Sequence, residues 1–154
     1  MIKLEKILHP TDFSENSTQA LRYACALAGK FDSELHLLHA VIDPIVAVTP
    51  PISGFLPSDY YQQILKNAEN NLATLSLKDL DEKTKVVRKA IEGTALIEII
   101  RYARENDIDM IVMGTHGHTG LMHMIMGSVA ENVVRKAPCP VLTLHADDYK
   151  FVMP

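Results

Sequence analysis

The 154-residue sequence has only two cysteines, Cys25 inside a helical pattern and Cys139 between two prolines. Their separation matches neither a redox pair nor a metal-binding pair, so a disulfide framework and a cysteine zinc site are excluded and both thiols are read as reduced and mostly buried. No stretch approaches about 18 consecutive apolar residues, and the opening Met1-Ile2-Lys3-Leu4-Glu5-Lys6 lacks the apolar core of a secretory leader. The expected location is therefore the cytoplasm, with no membrane partner. Basic residues are in deficit, 15 Lys and Arg against 19 Asp and Glu for a net charge of −4, which supplies no general attraction to nucleic acid.

Two common nucleotide signatures are missing as well. No lysine follows a glycine in the manner of G-x-x-x-x-G-K-[ST], and no G-x-G-x-x-G stands at the first strand–helix junction. No internal repeat occurs and nothing marks a second domain. At this length one core buries roughly 70% of the unfolded surface, so the expected organisation is one domain over residues 1–145 followed by a tail, 146–154.

What is present is an alternation of short Val/Ile/Leu-rich runs with helical patterns, the signature of βαβ units on a parallel sheet. The predicted strands cover about 2–9, 34–41, 84–91, 109–114 and 140–145. Met110-Ile111-Val112-Met113 is apolar without alternation, as in a central strand covered on both faces, whereas Lys85-Val86-Val87-Arg88-Lys89 mixes charge in and predicts an edge. Apolar residues at helical spacing form four stripes. Ala20, Ala24, Leu27, Ala28 and Phe31 make the first, and Tyr61, Ile64, Leu65, Ala68, Leu72 and Leu75 the second. Leu96, Ile99, Ile100 and Ala103 make the third. Val129, Ala130, Val133, Val134 and Ala137 make the fourth, stopped by Pro138 and Pro140. The Pro-rich connection from Asp43 to Ser58 is long for a compact domain and reads as a lid, a contact loop or a disordered segment.

In an open parallel sheet, ligands bind beyond the carboxyl ends of the strands where the strand order reverses. Two loops suit such a crevice. The first, His9-Pro10-Thr11-Asp12-Phe13-Ser14, offers a rigid turn, a hydroxyl and a carboxylate; Asp12 can accept from a ligand, or Asp12 or Ser14 can simply cap the following helix. The second runs from Gly114-Thr115-His116-Gly117-His118 to Gly127-Ser128 and holds four of the seven glycines. Glycines admit close backbone approach and a helix start presents unpaired amides, which together suit phosphate. Ser128 and Glu131 also read as a capping box, and Ser128 can cap while donating its proton to a phosphate oxygen. His116, His118 and His123 are not read as a metal site, because no Cys or carboxylate joins them. The apolar stretch Leu121, Met122, Met124, Ile125 and Met126 reads as packing on the domain or on a second subunit.

The spacing Gly114-x-x-Gly117, nine residues, then Gly127-Ser128 resembles the ATP-binding branch of the universal stress protein family. The similarity continues through Val129-Ala130-Glu131-Asn132-Val133 to Ala137-Pro138-Cys139-Pro140-Val141-Leu142, and includes the opening Ile7-Leu8-His9-Pro10-Thr11-Asp12-Phe13-Ser14. The resemblance implies an α/β fold of the adenine-nucleotide alpha hydrolase-like kind, an open five-stranded parallel sheet in the order 3-2-1-4-5 with helices on both faces. It implies ATP, with Mg or Mn carried by its phosphates, and a homodimer through the final strand. Residue by residue, it places Asp12 and the backbone of Val41 at the base or ribose and Pro10 and Thr11 along the pocket. Gly114, Gly117, Gly127, Ser128 and Val129 would hold the phosphates, with Thr115, His116 and His118 in the same binding loop. Relatives often carry Lys or Arg after the second loop glycine; here His118 and Thr119 stand there, and no basic residue lies between Gly114 and Ser128. The expected function is a nucleotide-responsive regulatory dimer in the stress response, acting on a protein partner that the sequence does not name. A slow ATPase or phosphotransferase using Asp12 or His116 as base, or a nucleotide-independent dimeric scaffold, are the alternatives.

Overall fold

The computed structural model describes residues 3–42, 58–78, 80–116 and 126–145. Within them, five strands and four helices alternate. They are β1 (Lys6–Pro10), α1 (Glu15–Phe31), β2 (Glu34–Val41), α2 (Ser58–Thr74), β3 (Val86–Glu92), α3 (Ala95–Glu105), β4 (Met110–Gly114), α4 (Ser128–Lys136) and β5 (Val141–Leu144). All pairings are parallel and the strand order is β3-β2-β1-β4-β5, so the order reverses at β1, between β2 and β4.

The apolar runs follow from burial on both faces. Ile7 and Leu8 are adjacent on β1 and fully buried, yet they belong to different cores. Ile7 packs with Leu21, Ala24 and Cys25 of α1 and Leu72 of α2, while Leu8 packs with Ile99 and Ala103 of α3 and Ala130 and Val133 of α4. The two faces of the sheet are thus covered by two helices each. β3, with Arg88 and Lys89 exposed, pairs only with β2 and is an edge, as its charge predicts.

Several expectations shift. The ladder of β1 opens at Lys6 because the amides of Glu5 and Lys6 donate to the Asp109 carboxylate (2.7 and 2.8 Å). Phe31 is not in the α1 stripe: it is 52% exposed. The buried face of α1 instead runs through Ser17, Ala20, Leu21, Ala24, Cys25 and Ala28, and the left-handed Asp32 then turns the chain toward β2. On α4, Val129 and Val134 are exposed and Ala130 and Val133 alone are buried. The side chain of Tyr61, the connection 43–57, the loop residues 117–125 and the tail 146–154 lie outside the described residues.

Gly93, between β3 and α3, has φ +140°, and a Cβ there would stand 2.6 Å from Glu98 Oε1. Gly93→Ala is expected to destabilise the chain by about 1–3 kcal/mol, read as a lower urea midpoint with an unchanged slope.

Candidate functional site

The loop after β1 is shaped by its own side chains. Thr11 extends the ladder by donating its amide to the Leu38 carbonyl (2.8 Å). Phe13 takes a left-handed conformation, φ 63°, which costs a residue with a Cβ roughly 1–2 kcal/mol. It is held there by its amide, which donates to Thr11 Oγ1 (3.0 Å), and by its ring, 4.5 Å from that of His39. Ser14 caps α1, accepting from the Ser17 amide (3.2 Å). Asp12 stands behind it: its Oδ1 accepts from the amide and the hydroxyl of Ser14 (3.0 and 2.6 Å). The cap is therefore Ser14, and Asp12 is oriented by the residue that makes it.

The second loop is closed by one bond. The Gly127 amide donates to the Thr115 carbonyl at 2.7 Å, and the Thr115 amide donates to the Leu144 carbonyl at 2.9 Å. The start of α4 is thereby tied to the ends of β4 and β5. Contact distance explains both glycines: a Cβ on Gly127 would stand 3.1 Å from the Thr115 carbonyl oxygen, and one on Gly114 would stand 3.1 Å from that of Asn16. The predicted capping box does not form. Gly127 is the N-cap, Ser128 is the first helical residue, and the Glu131 carboxylate accepts from Arg135 instead (2.8 Å). The first bond within α4 is Glu131 N–H to the Gly127 carbonyl, so the amides of residues 128–130 have no acceptor inside the helix.

These two loops wall one cavity of 360 Å³ beyond β1 and β4, a volume within the range of small-molecule sites. Of the residues expected at a ligand, Pro10, Thr11, Asp12, Gly114, Thr115, His116, Gly127, Ser128 and Val129 line it. Gly117 and His118 lie outside the described residues. Val41 is not in the wall; its carbonyl accepts from the Gly93 amide (2.9 Å), on the β3 side. Backbone polar groups alternate sides along a strand. Because Leu38 turns its carbonyl to β1 and Val41 turns its own to β3, Ala40 turns its amide and carbonyl to the β1 side, past the end of β1 at Pro10. Ala40 and Ile42 line the cavity, with Leu38, Ile99 and Met113 completing an apolar wall.

Ser17, His39, Ala40 and Ile42 were not singled out by the sequence. The signal for the last two was the alternation of β2 running past the end of β1, visible only with the register in hand. Among the described wall residues Asp12 is the only Asp, Glu, Lys or Arg, and no group of three or more His, Cys, Asp or Glu among the described residues is placed to hold a metal ion. Thr115 Oγ1 lies 2.9 Å from His116 Nδ1 and 3.2 Å from His145 Nδ1. His145 carried no sequence signal, being thirty positions away.

His9 is fully buried behind the first loop, its Nδ1–H donating to the Val112 carbonyl (2.8 Å). Burial lowers its pKa from 6.5 to about 4, against the opposing pull of that carbonyl and of Asp12. It is neutral at pH 7, and with Ser17 Oγ 3.4 Å from Nε2 and 2.8 Å from Thr11 Oγ1 it backs the cavity wall.

The model of the universal stress protein family matches residues 3–145. The universal stress protein MJ0531 of Methanocaldococcus jannaschii is 35% identical over 143 residues, covering 91% of this chain and 81% of that one. The solved structure of MJ0577 from the same organism superposes with a TM-score of 0.80 at 30% identity, covering 96% of this chain and 100% of that chain. A universal stress protein from Archaeoglobus fulgidus, solved in complex with dAMP, shares the fold at 19% identity and a TM-score of 0.59, with 93% and 98% covered.

The depressed pKa of His9 makes stability depend on pH. The unfolded chain takes up the proton below 6.5 and the folded chain only near 4, so stability present above pH 6.5 is lost as pH falls, by about 3 kcal/mol for this group alone. His36, also lowered by burial, adds loss of the same sign. Denaturant titrations at successive pH values are expected to show this decline, and to show a shallower one in His9→Asn.

Proposed function

Because the chain belongs to the universal stress protein family, we propose that it is an ATP-binding regulatory dimer of the stress response. The observation that carries this reading is the start of α4, whose first amides have no acceptor inside the helix, held by the Gly127–Thr115 bond against the cavity at the strand-order reversal. In this reading the base lies against Leu38, Ala40 and Ile99, with the backbone of Ala40 rather than Val41 as its polar edge. Asp12 accepts from the ribose hydroxyls beside Pro10 and Thr11. The phosphates meet the amides of Ser128 and Val129 and the backbone around Gly114, Thr115, His116, Gly117, His118 and Gly127, with Mg²⁺ or Mn²⁺ carried on the phosphates.

The domain is 1–145, with 146–154 as a tail, and it works in the cytoplasm; no helix among the described residues is long and apolar enough to cross a membrane. In this reading the chain binds nucleotide and at most hydrolyses it weakly, since phosphoryl transfer needs charge stabilisation at the reacting phosphate. Dimerisation uses β5, an open edge on which Leu142 is 36% exposed, and nucleotide occupancy alters what the dimer presents to its protein partner.

Saturating Mg-ATP, at 100 times Kd, is expected to add about 2.7 kcal/mol to the stripped protein, a rise in Tm of roughly 5–11 °C. Ala40→Leu, which fills the apolar wall, is expected to lose that rise. No rise at millimolar Mg-ATP would sink the reading in favour of a nucleotide-independent scaffold, and steady phosphate release abolished by Asp12→Ala or His116→Ala would make the chain a slow ATPase. Thr143→Pro removes an edge amide of β5 and is expected to yield monomer in sedimentation.

A further inference from the structure

The phosphate end of the cavity lacks fixed positive charge. No Lys or Arg lines it among the described residues, Asp12 in its wall is an anion, and the whole stretch from Gly114 to Ser128 contains no basic residue other than histidine. The start of a helix contributes only about half a positive charge, less than a phosphate group requires.

Two imidazoles meet beside it, His116 in the cavity wall and His145 next to that wall. Thr115, 1% exposed, brings its hydroxyl within 2.9 Å of His116 Nδ1 and 3.2 Å of His145 Nδ1, and the ring centroids are 6.3 Å apart. Thr115 and His116 line the cavity, and the Thr115 carbonyl is the group that holds the Gly127 amide. The pair therefore stands beside the start of α4, drawn from the ends of two adjacent strands, β4 and β5.

A hydroxyl has one proton and two lone pairs. With both rings neutral, one Nδ1 accepts the Thr115 proton and the other ring donates its Nδ1–H to the Thr115 oxygen. When the accepting ring is protonated, its Nδ1–H donates too; the oxygen takes both and turns its own proton away. The cluster gains a proton without losing either contact, unlike His9, whose burial opposes any charge. Two imidazolium rings at this separation repel, so full protonation awaits an anion.

We propose that His116 and His145, gathered on Thr115, form a proton-loaded site for the nucleotide's phosphate groups in place of a fixed Lys or Arg, coupling nucleotide binding to proton uptake. This rests on the nucleotide reading of the cavity and adds its regulation. Of the charged and titratable groups on described elements, Asp12 and His39 share the cavity wall with His116, and Glu131 stands in the first turn of α4. Glu131 is held by Arg135, and His39 donates Nδ1–H to the Thr11 carbonyl at 2.7 Å.

The test is calorimetric titration of the stripped full chain with Mg-ATP from about pH 6.5 to 8, in buffers of different ionisation enthalpy, which counts protons. Uptake of up to about one proton near pH 7 is expected, with affinity weakening about fivefold or more across the range, while adenosine shows no pH dependence. The double variant His116→Gln/His145→Gln is expected to lose both the pH dependence and the proton uptake. Independently of any variant, the NMR titration midpoints of two wild-type imidazoles are expected to rise on adding Mg-ATP. Binding that is flat with pH, midpoints that do not move, or a pH dependence that survives in the double variant overturns the proton-coupled site and leaves the nucleotide reading standing. No binding at any pH overturns both.

Discussion

The 2.7 Å bond from the Gly127 amide to the Thr115 carbonyl is the constraint on which the candidate site depends. It brings the start of α4 to the end of β4, and it sets Ser128, Val129 and Ala130 into the wall of the cavity. The bond is possible because residue 127 is glycine: any Cβ would press on the carbonyl oxygen it approaches. The same threonine reaches β5 through its own amide and two histidines through its hydroxyl, so one residue organises the crevice on both its polar faces.

Opposite it, the β1 loop is arranged by equally local means. Thr11, Asp12 and Ser14 each accept a bond from a residue a few positions on, and this network holds Phe13 in a conformation that most side chains avoid. The two loops are otherwise unrelated in sequence. They face each other because β1 and β4 are neighbours although the chain places β2 and β3 between them.

The site carries little fixed charge among its described wall residues. Asp12, the amides of α4 and a group of imidazoles line or adjoin a partly apolar cavity. His9, the most deeply buried histidine among the described residues, is kept neutral by that burial, while two others meet on the Thr115 hydroxyl.

Much of this was legible in the residues. The order of elements, the central character of Ile111-Val112 and the charged edge at Arg88 and Lys89 all follow from periodicity and composition, because each is a local property of side-chain size, branching and charge. Three features were not legible. Whether Ser14 or Asp12 caps α1, and whether Ser128 or Gly127 caps α4, turned on backbone geometry that several sequences satisfy equally. That Ala40 rather than Val41 turns its backbone to the crevice was decided by the parallel register of β2 with β1 and β3, where a shift of one residue reverses every direction. That His145 joins His116 was decided by the pairing of β5 with β4. The sequence by itself determined the fold class and the two loops that carry the site; the tertiary structure alone decided which atoms face the cavity, because hydrogen-bond direction is set by the neighbouring strand and not by the residue that bears it.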